Sequence, residues 1–200
     1  MTARHASVNE AELFFERFGK GVPILVMHGG LGLDHTYFRS WLDKLGEHAE
    51  LIFYDHRGNG RSTRAVSLAG VDHATFAADA DQLRAHLGLD RIIVLGHSYG
   101  GFLAQEYASR YGSEGGHLAG LILCSTAPAL DSMPVTQANT IARLHEIKVP
   151  TLVISGADDW ITPPSKDNVS KPRSPTRNLR SLNRSAIFHS SKRLTNLSIR

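Results

Sequence analysis

The chain has a single cysteine, Cys124, among 200 residues. No internal disulfide can form, so stability must come from packing. No apolar run approaches the roughly 20 residues that a membrane-spanning helix needs. Residues 1–10 lack the apolar stretch of an export signal, which makes the cytoplasm the expected compartment and leaves no membrane partner. Metal-ligand spacing is missing as well. There is no His-Glu-x-x-His, and His117 and His145 have no partner at ligand spacing along the chain. Neither a phosphate-cradling loop nor a dinucleotide-binding glycine fingerprint is present. The expectation is a chain that uses no metal and no organic cofactor. What is there is ordinary globular composition, 42% hydrophobic and 20% charged, in a length that suits one domain.

The net charge of +3 conceals two opposite parts. Residues 165–200 carry nine Lys or Arg and one acid, Asp167, whereas residues 1–164 carry 13 basic and 18 acidic residues. The body is mildly acidic and offers nothing to nucleic acid. Composition breaks after Pro163-Pro164, beyond which there is no glycine but eight serines and four asparagines. The expected organisation is a core over 1–164 and a basic, Ser/Arg-rich, poorly ordered tail over 165–200. That tail reads as an out-of-frame or diverged C-terminus; the competing reading is a basic segment for an acidic partner.

Within the core, short apolar runs alternate with helical spacing, the pattern of a mostly parallel sheet flanked by helices on both faces. Residues 11–18 predict an early strand or hairpin. Ile24–Met27, Leu51–Tyr54, Arg91–Leu95, Leu121–Cys124 and Thr151–Ile154 read as buried strands, which makes Cys124 a small core residue. Helices are predicted over 36–45, over 76–87 with a stop at Gly88, and over 102–111.

The most informative stretch is Gly96-His97-Ser98-Tyr99-Gly100-Gly101, which follows the Arg91–Leu95 strand and opens a helix. Gly-x-Ser-x-Gly in that setting is the pattern of a nucleophile elbow, a strained turn that lifts one serine hydroxyl above a sheet. A Cβ at Gly96 or Gly100 would crowd such a turn. Ser98 is the candidate nucleophile. A serine hydroxyl needs a base, a carboxylate to orient the base, and donors for the oxyanion that forms. One donor is expected from the Tyr99 backbone N–H. The other is expected from the glycine loop His28-Gly29-Gly30-Leu31-Gly32, with Gly30 first and Gly29 beside it. The carboxylate should follow a later strand, and Asp158 and Asp159 after Thr151–Ile154 supply two, although both would also suit a turn cap. Asp55-His56-Arg57-Gly58-Asn59-Gly60-Arg61-Ser62 reads as a structural rim loop, with His28 and His56 as scaffolding and Arg57 set to pair with a nearby carboxylate.

Taken together, the His28-Gly29-Gly30-x-Gly32, Asp55-x-Arg57-Gly58-x-Gly60-x-Ser62 and Gly96–Gly101 motifs resemble the α/β-hydrolases. Within them the chain is most similar to the proline iminopeptidase group, and Pro150–Asp159 continues the likeness. The resemblance implies an α/β-hydrolase fold and a serine hydrolase acting on a small amide or ester. Its substrate would be a small molecule or short peptide, in the closest case a peptide losing its N-terminal proline. It places the acid at Asp159, three residues after the strand's glycine, with Asp158 in reserve. It places the base at His189, the only histidine after that acid. Two departures stand out. Only about 25 residues separate the Leu121–Cys124 and Thr151–Ile154 strands, where the family carries a much longer helical cap whose acids hold the substrate amine. The Ser-Gly-His phrase that carries the family's base is missing, so His189 is also readable as a tail residue. The competing functions are therefore a general carboxylesterase of the same fold and an inactive hydrolase-like binding module.

Overall fold

Residues 2–63, 70–113, 116–127, 143, 146–156 and 177–182 are described in the computed structural model of the chain. They contain the strands β1 (Thr2–Val8), β2 (Ala11–Gly19), β3 (Val22–Met27), β4 (Ala49–Tyr54), β5 (Ile92–His97), β6 (Leu118–Cys124), β7 (Thr151–Gly156) and β8 (Arg177–Leu182). These form one sheet in the order β1-β2-β4-β3-β5-β6-β7-β8. The β1–β2 and β2–β4 pairs are antiparallel and every other pair is parallel. The helices are α1 (Arg39–Leu42), α2 (His73–His86) and α3 (Tyr99–Tyr111).

The continuous apolar runs are explained by burial on both faces. Along β3, Leu25 and Met27 belong to one core with Ile52, Tyr54, Val94 and the α2–α3 side chains Leu83, Leu103 and Tyr107. Ile24 and Val26 belong to the opposite core with Leu51, Phe53, Leu95 and Phe38. Each fully buried Leu, Ile or Phe contributes about 1.5–3 kcal/mol. Cys124 ends β6 at the sheet's carboxyl edge and is half-buried, short of the full burial its apolar run predicts.

The predicted helix over 36–45 is broken. Three-residue turns flank a single α turn, α1. His35 and Phe38, the two fully packed side chains here, lie three apart, which is the repeat of the tighter 3₁₀ form. Helix α2 starts three residues before the predicted position because Asp72 caps it, accepting from the Thr75 N–H and hydroxyl at 2.8 Å. It stops at Gly88, whose φ of +69° lets Gly88 N–H return to the Ala85 carbonyl and Leu89 N–H to that of Arg84. Strand β8 is not legible in the sequence, since Arg177–Leu182 has no apolar run; it pairs with β7 in parallel register.

The β1–β2 hairpin turns on Asn9 and Glu10, at φ +44° and +62°. Both central residues of such a two-residue turn need positive φ, which suits Asn and penalises Glu. Glu10→Gly should therefore raise stability by about 0.5 kcal/mol, the relief of side-chain strain less the extra entropy of glycine. A thermal melt that shows a loss of about 1 kcal/mol or more would contradict this.

Candidate active site

Ser98 sits between β5 and α3 with φ +53° and ψ −119°. Non-glycine residues rarely adopt such backbone, and it persists only where the surroundings over-determine it. Here they do. Ser98 N–H donates to the Cys124 carbonyl at 3.0 Å, and the Ser98 carbonyl accepts from Gly101 N–H at 2.9 Å and from the Thr126 hydroxyl at 2.8 Å. The glycines behave as the turn requires. A Cβ at Gly96 would strike the Gly100 carbonyl, and one at Gly100 would strike the carbonyls of Met27 and His28. The first turn of α3 is thus pressed onto the end of β3. The half-buried Ser98 hydroxyl makes no hydrogen bond among the described residues.

The same close packing brings in the glycine loop. A Cβ at Gly29 would stand 3.0 Å from Ser98 Cβ and 3.1 Å from His97 Nδ1. Gly29, Ser98 and Tyr99 therefore meet at one place, and Gly30 follows at φ +65°. The Gly29 N–H is already used, donating to the Tyr37 hydroxyl at 2.6 Å. At the other end of the loop Gly32 N–H donates to Asn59 Oδ1 at 2.5 Å. Gly30 N–H has no backbone partner among the described residues. Tyr99 N–H is the first of helix α3 and has no preceding turn to accept it. The unspent donors are thus at Gly30 and Tyr99. Asp158, Asp159 and His189 lie outside the described residues, as does His145.

Beneath this loop lies a buried polar layer. His28 and His56 are fully buried with ring centroids 3.9 Å apart. His28 Nε2 accepts the His56 N–H at 3.1 Å, which places the His28 proton on Nδ1, donating to the Gly29 carbonyl at 3.0 Å. His56 Nε2 donates to the His28 carbonyl at 3.0 Å. Burial lowers both imidazoles' pKa, that of His56 well below the usual value. Both are neutral spacers. Asp55 is fully buried and receives the His35 N–H at 3.1 Å, the Arg61 N–H at 2.8 Å and the His35 ring at 2.5 Å. Burial would raise its pKa, but these hydrogen bonds prevail and hold it at about 2.

Arg57 finds the carboxylate expected of it. Its Nε and Nη2 donate to Asp79 on α2 at 2.8 and 2.7 Å, and Nη2 also donates to the Asn9 carbonyl at 2.7 Å. His117 pairs with Asp81 at 2.9 Å. Among the described residues no cluster of His, Cys, Asp or Glu could hold a metal ion, and no helix is long and apolar enough to cross a membrane. Sequence reasoning passes over Tyr37, Asn59 and His35. Tyr37 and His35 find their partners far along the chain, and Asn59 is legible only as part of the rim loop.

Comparison with known proteins agrees with the fold. The family profile described as "alpha/beta hydrolase fold" matches residues 22–142, and the chain belongs to that family. It is 39% identical over 129 residues to a proline iminopeptidase of Clostridium botulinum, covering 64% of this chain and 43% of that protein. It is 34% identical over 128 residues to a non-heme haloperoxidase of Rhodococcus erythropolis, covering 64% and 44%. The chain thus spans less than half the length of these curated relatives. Among solved structures it resembles an esterase from Exiguobacterium antarcticum, with TM-score 0.78 at 18% identity, covering 91% of each chain.

Proposed function

We propose that this chain is a serine hydrolase that cleaves a small amide or ester through Ser98. The observation that carries the reading is the strained Ser98 turn packed against the glycine loop, with unspent N–H groups at Gly30 and Tyr99. In the proposed reaction the Ser98 oxygen bonds to the substrate carbonyl carbon as His189 takes the hydroxyl proton. The carbonyl electron pair moves onto oxygen, which Gly30 and Tyr99 N–H groups hold. The pair returns, the bond to the leaving amine or alcohol breaks, and His189 gives that group the proton. Water, deprotonated by the same histidine, then releases the acid and restores Ser98. Asp159 orients the histidine. The substrate is a small molecule or short peptide.

The finer reading is removal of an N-terminal proline, supported by the likeness to proline iminopeptidases. The short connection between β6 and β7 favours a second reading, a general carboxylesterase, because it leaves little chain to hold a substrate amine. Parallel assays on a prolyl arylamide and a short acyl ester separate the two. The nucleophile is tested by intact mass after incubation with a fluorophosphonate, with Ser98→Ala beside it. One adduct that disappears in Ser98→Ala is expected. No adduct on a folded sample would reject the hydrolase and leave a hydrolase-like binding module.

A further inference from the structure

Tyr37 has no role in the proposed reaction, yet its hydroxyl touches both halves of the site. It accepts the Gly29 N–H at 2.6 Å and lies 2.9 Å from His97 Nδ1. A phenol oxygen can accept from Gly29 N–H and still share a hydrogen bond with His97 Nδ1, whose direction the His97 tautomer sets. Burial raises the phenol pKa, so it keeps its proton throughout the range in which proteins work. The ring is held in place by Phe38, with centroids 4.2 Å apart.

The placement of the two partners matters. Gly29 immediately precedes Gly30, and His97 immediately precedes Ser98. They sit on separate segments, the loop after β3 and the end of β5. One hydroxyl therefore joins the residue before one oxyanion donor to the residue before the nucleophile. Asn59 ties the far end of the same loop through Gly32 N–H. The loop is anchored at both ends, and the Gly30 N–H lies between the anchors.

We propose that Tyr37 is a positioning residue: the bridge from Gly29 N–H through the Tyr37 hydroxyl to His97 Nδ1 sets the distance between the Gly30 donor and the Ser98–Tyr99 turn. This rests on the reading of Ser98 as nucleophile. An oxyanion donor contributes only when it meets the oxygen where the transition state places it, and an error near 1 Å costs up to about 100-fold. Removing the bridge therefore harms the transition state and spares the ground state. Tyr37→Phe keeps the ring and loses the hydroxyl. It should lower kcat on a short acyl ester by about 10- to 100-fold and leave KM within about twofold. Affinity for a trifluoromethyl ketone, which mimics the tetrahedral state, should fall by the same factor as kcat/KM.

The experiment uses the 200-residue chain as wild type, Ser98→Ala, Tyr37→Phe and His97→Phe. His97→Phe cuts the same bridge at its other end and serves if Tyr37→Phe does not fold. Fluorophosphonate labelling rates, kcat, KM and ketone inhibition are measured on each. Labelled wild type with slow labelling, low kcat and weak ketone binding in the bridge variants is the expected result. Labelled wild type with bridge variants inside twofold of it overturns the role of Tyr37 alone. A bridge variant that raises KM and leaves kcat unchanged also overturns it, because that is the mark of lost substrate binding. Unlabelled, folded wild type overturns the nucleophile reading, and the role of Tyr37 falls with it.

Discussion

Asp79→Ala should destabilise the fold by about 3–5 kcal/mol, the cost of leaving a buried charge without its partner. Asp79 is 1% exposed and Arg57 is 6% exposed. Removing the carboxylate leaves the Arg57 guanidinium with the Asn9 carbonyl as its remaining acceptor among the described residues, and it also deprives Asn9 Nδ2 of the acceptor it reaches at 3.0 Å. Three elements meet here, the β1–β2 turn, the loop after β4 and helix α2. The damage should therefore spread. The Arg57 carbonyl holds Asn59 Nδ2 at 2.8 Å, and Asn59 holds the glycine loop. Urea unfolding measures the loss. Arg57→Met combined with Asp79→Leu should cost less than Asp79→Ala, since no charge is then stranded. A single substitution that costs less than about 1 kcal/mol would show that water reaches Arg57 and that the pair is not a keystone.

Acid should unfold the protein in two stages. His28, His56 and His73 all have pKa values lowered by burial. A histidine lowered in the fold is protonated more readily in the unfolded chain, whose value is about 6.5. The unfolded state then binds more protons below that pH. Stability is whole above about 6.5 and falls as pH drops, by up to about 1.4 kcal/mol per pH unit for each histidine still neutral in the fold. Asp55 acts at lower pH. Its folded value of about 2 lies below the ordinary carboxylate range, so its contribution is whole above about 4 and disappears between about 4 and 2. His73 is the position to test. Among the described residues neither of its ring nitrogens has a hydrogen-bond partner, and it packs against the rings of Tyr99 and Phe102. Its charged neighbours, Asp72 and Glu106, pull its pKa upward less than burial lowers it. His73→Phe removes two stranded polar atoms and one titrating group. It should add about 1–2 kcal/mol at pH 7 and make the fall below pH 6.5 less steep. Melting temperatures across that range, compared with wild type, decide it. An unchanged slope would show that water already solvates this imidazole.

The central architecture was legible because its signals are local. Four-residue apolar runs mark β3, β4, β6 and β7, and Gly96 and Gly100 mark the turn where neighbouring backbone admits no Cβ. The match of residues 22–142 to the α/β hydrolase fold family agrees with that reading. The early hairpin was legible as a strand or hairpin, with β1 carrying no apolar run of its own. The break in the helix predicted over 36–45 was hidden because three-residue and 3.6-residue spacing differ little over one turn. The oxyanion loop was legible as glycines, but the distribution of its N–H groups was not. Gly29 loses its donor to a tyrosine eight positions on, and that tyrosine leans on a histidine 60 positions further. Such pairings depend on how strands are ordered in the sheet, which no window of sequence contains. The proposed acid and base, Asp159 and His189, belong to the part of the chain where the apolar pattern fades, and Arg177–Leu182 shows that a strand can form there without one.

Cys124 gives this protein a built-in attachment point. It is the single thiol of the chain, half-buried at the end of β6, in register with His97 and with its carbonyl accepting the Ser98 N–H. A trifluoromethyl tag placed on it would need no engineered cysteine and no removal of others. Its fluorine resonance would come from one strand away from the serine. Ligand screening and the acid transition could both be followed through that one signal, in samples where turnover is too slow to measure.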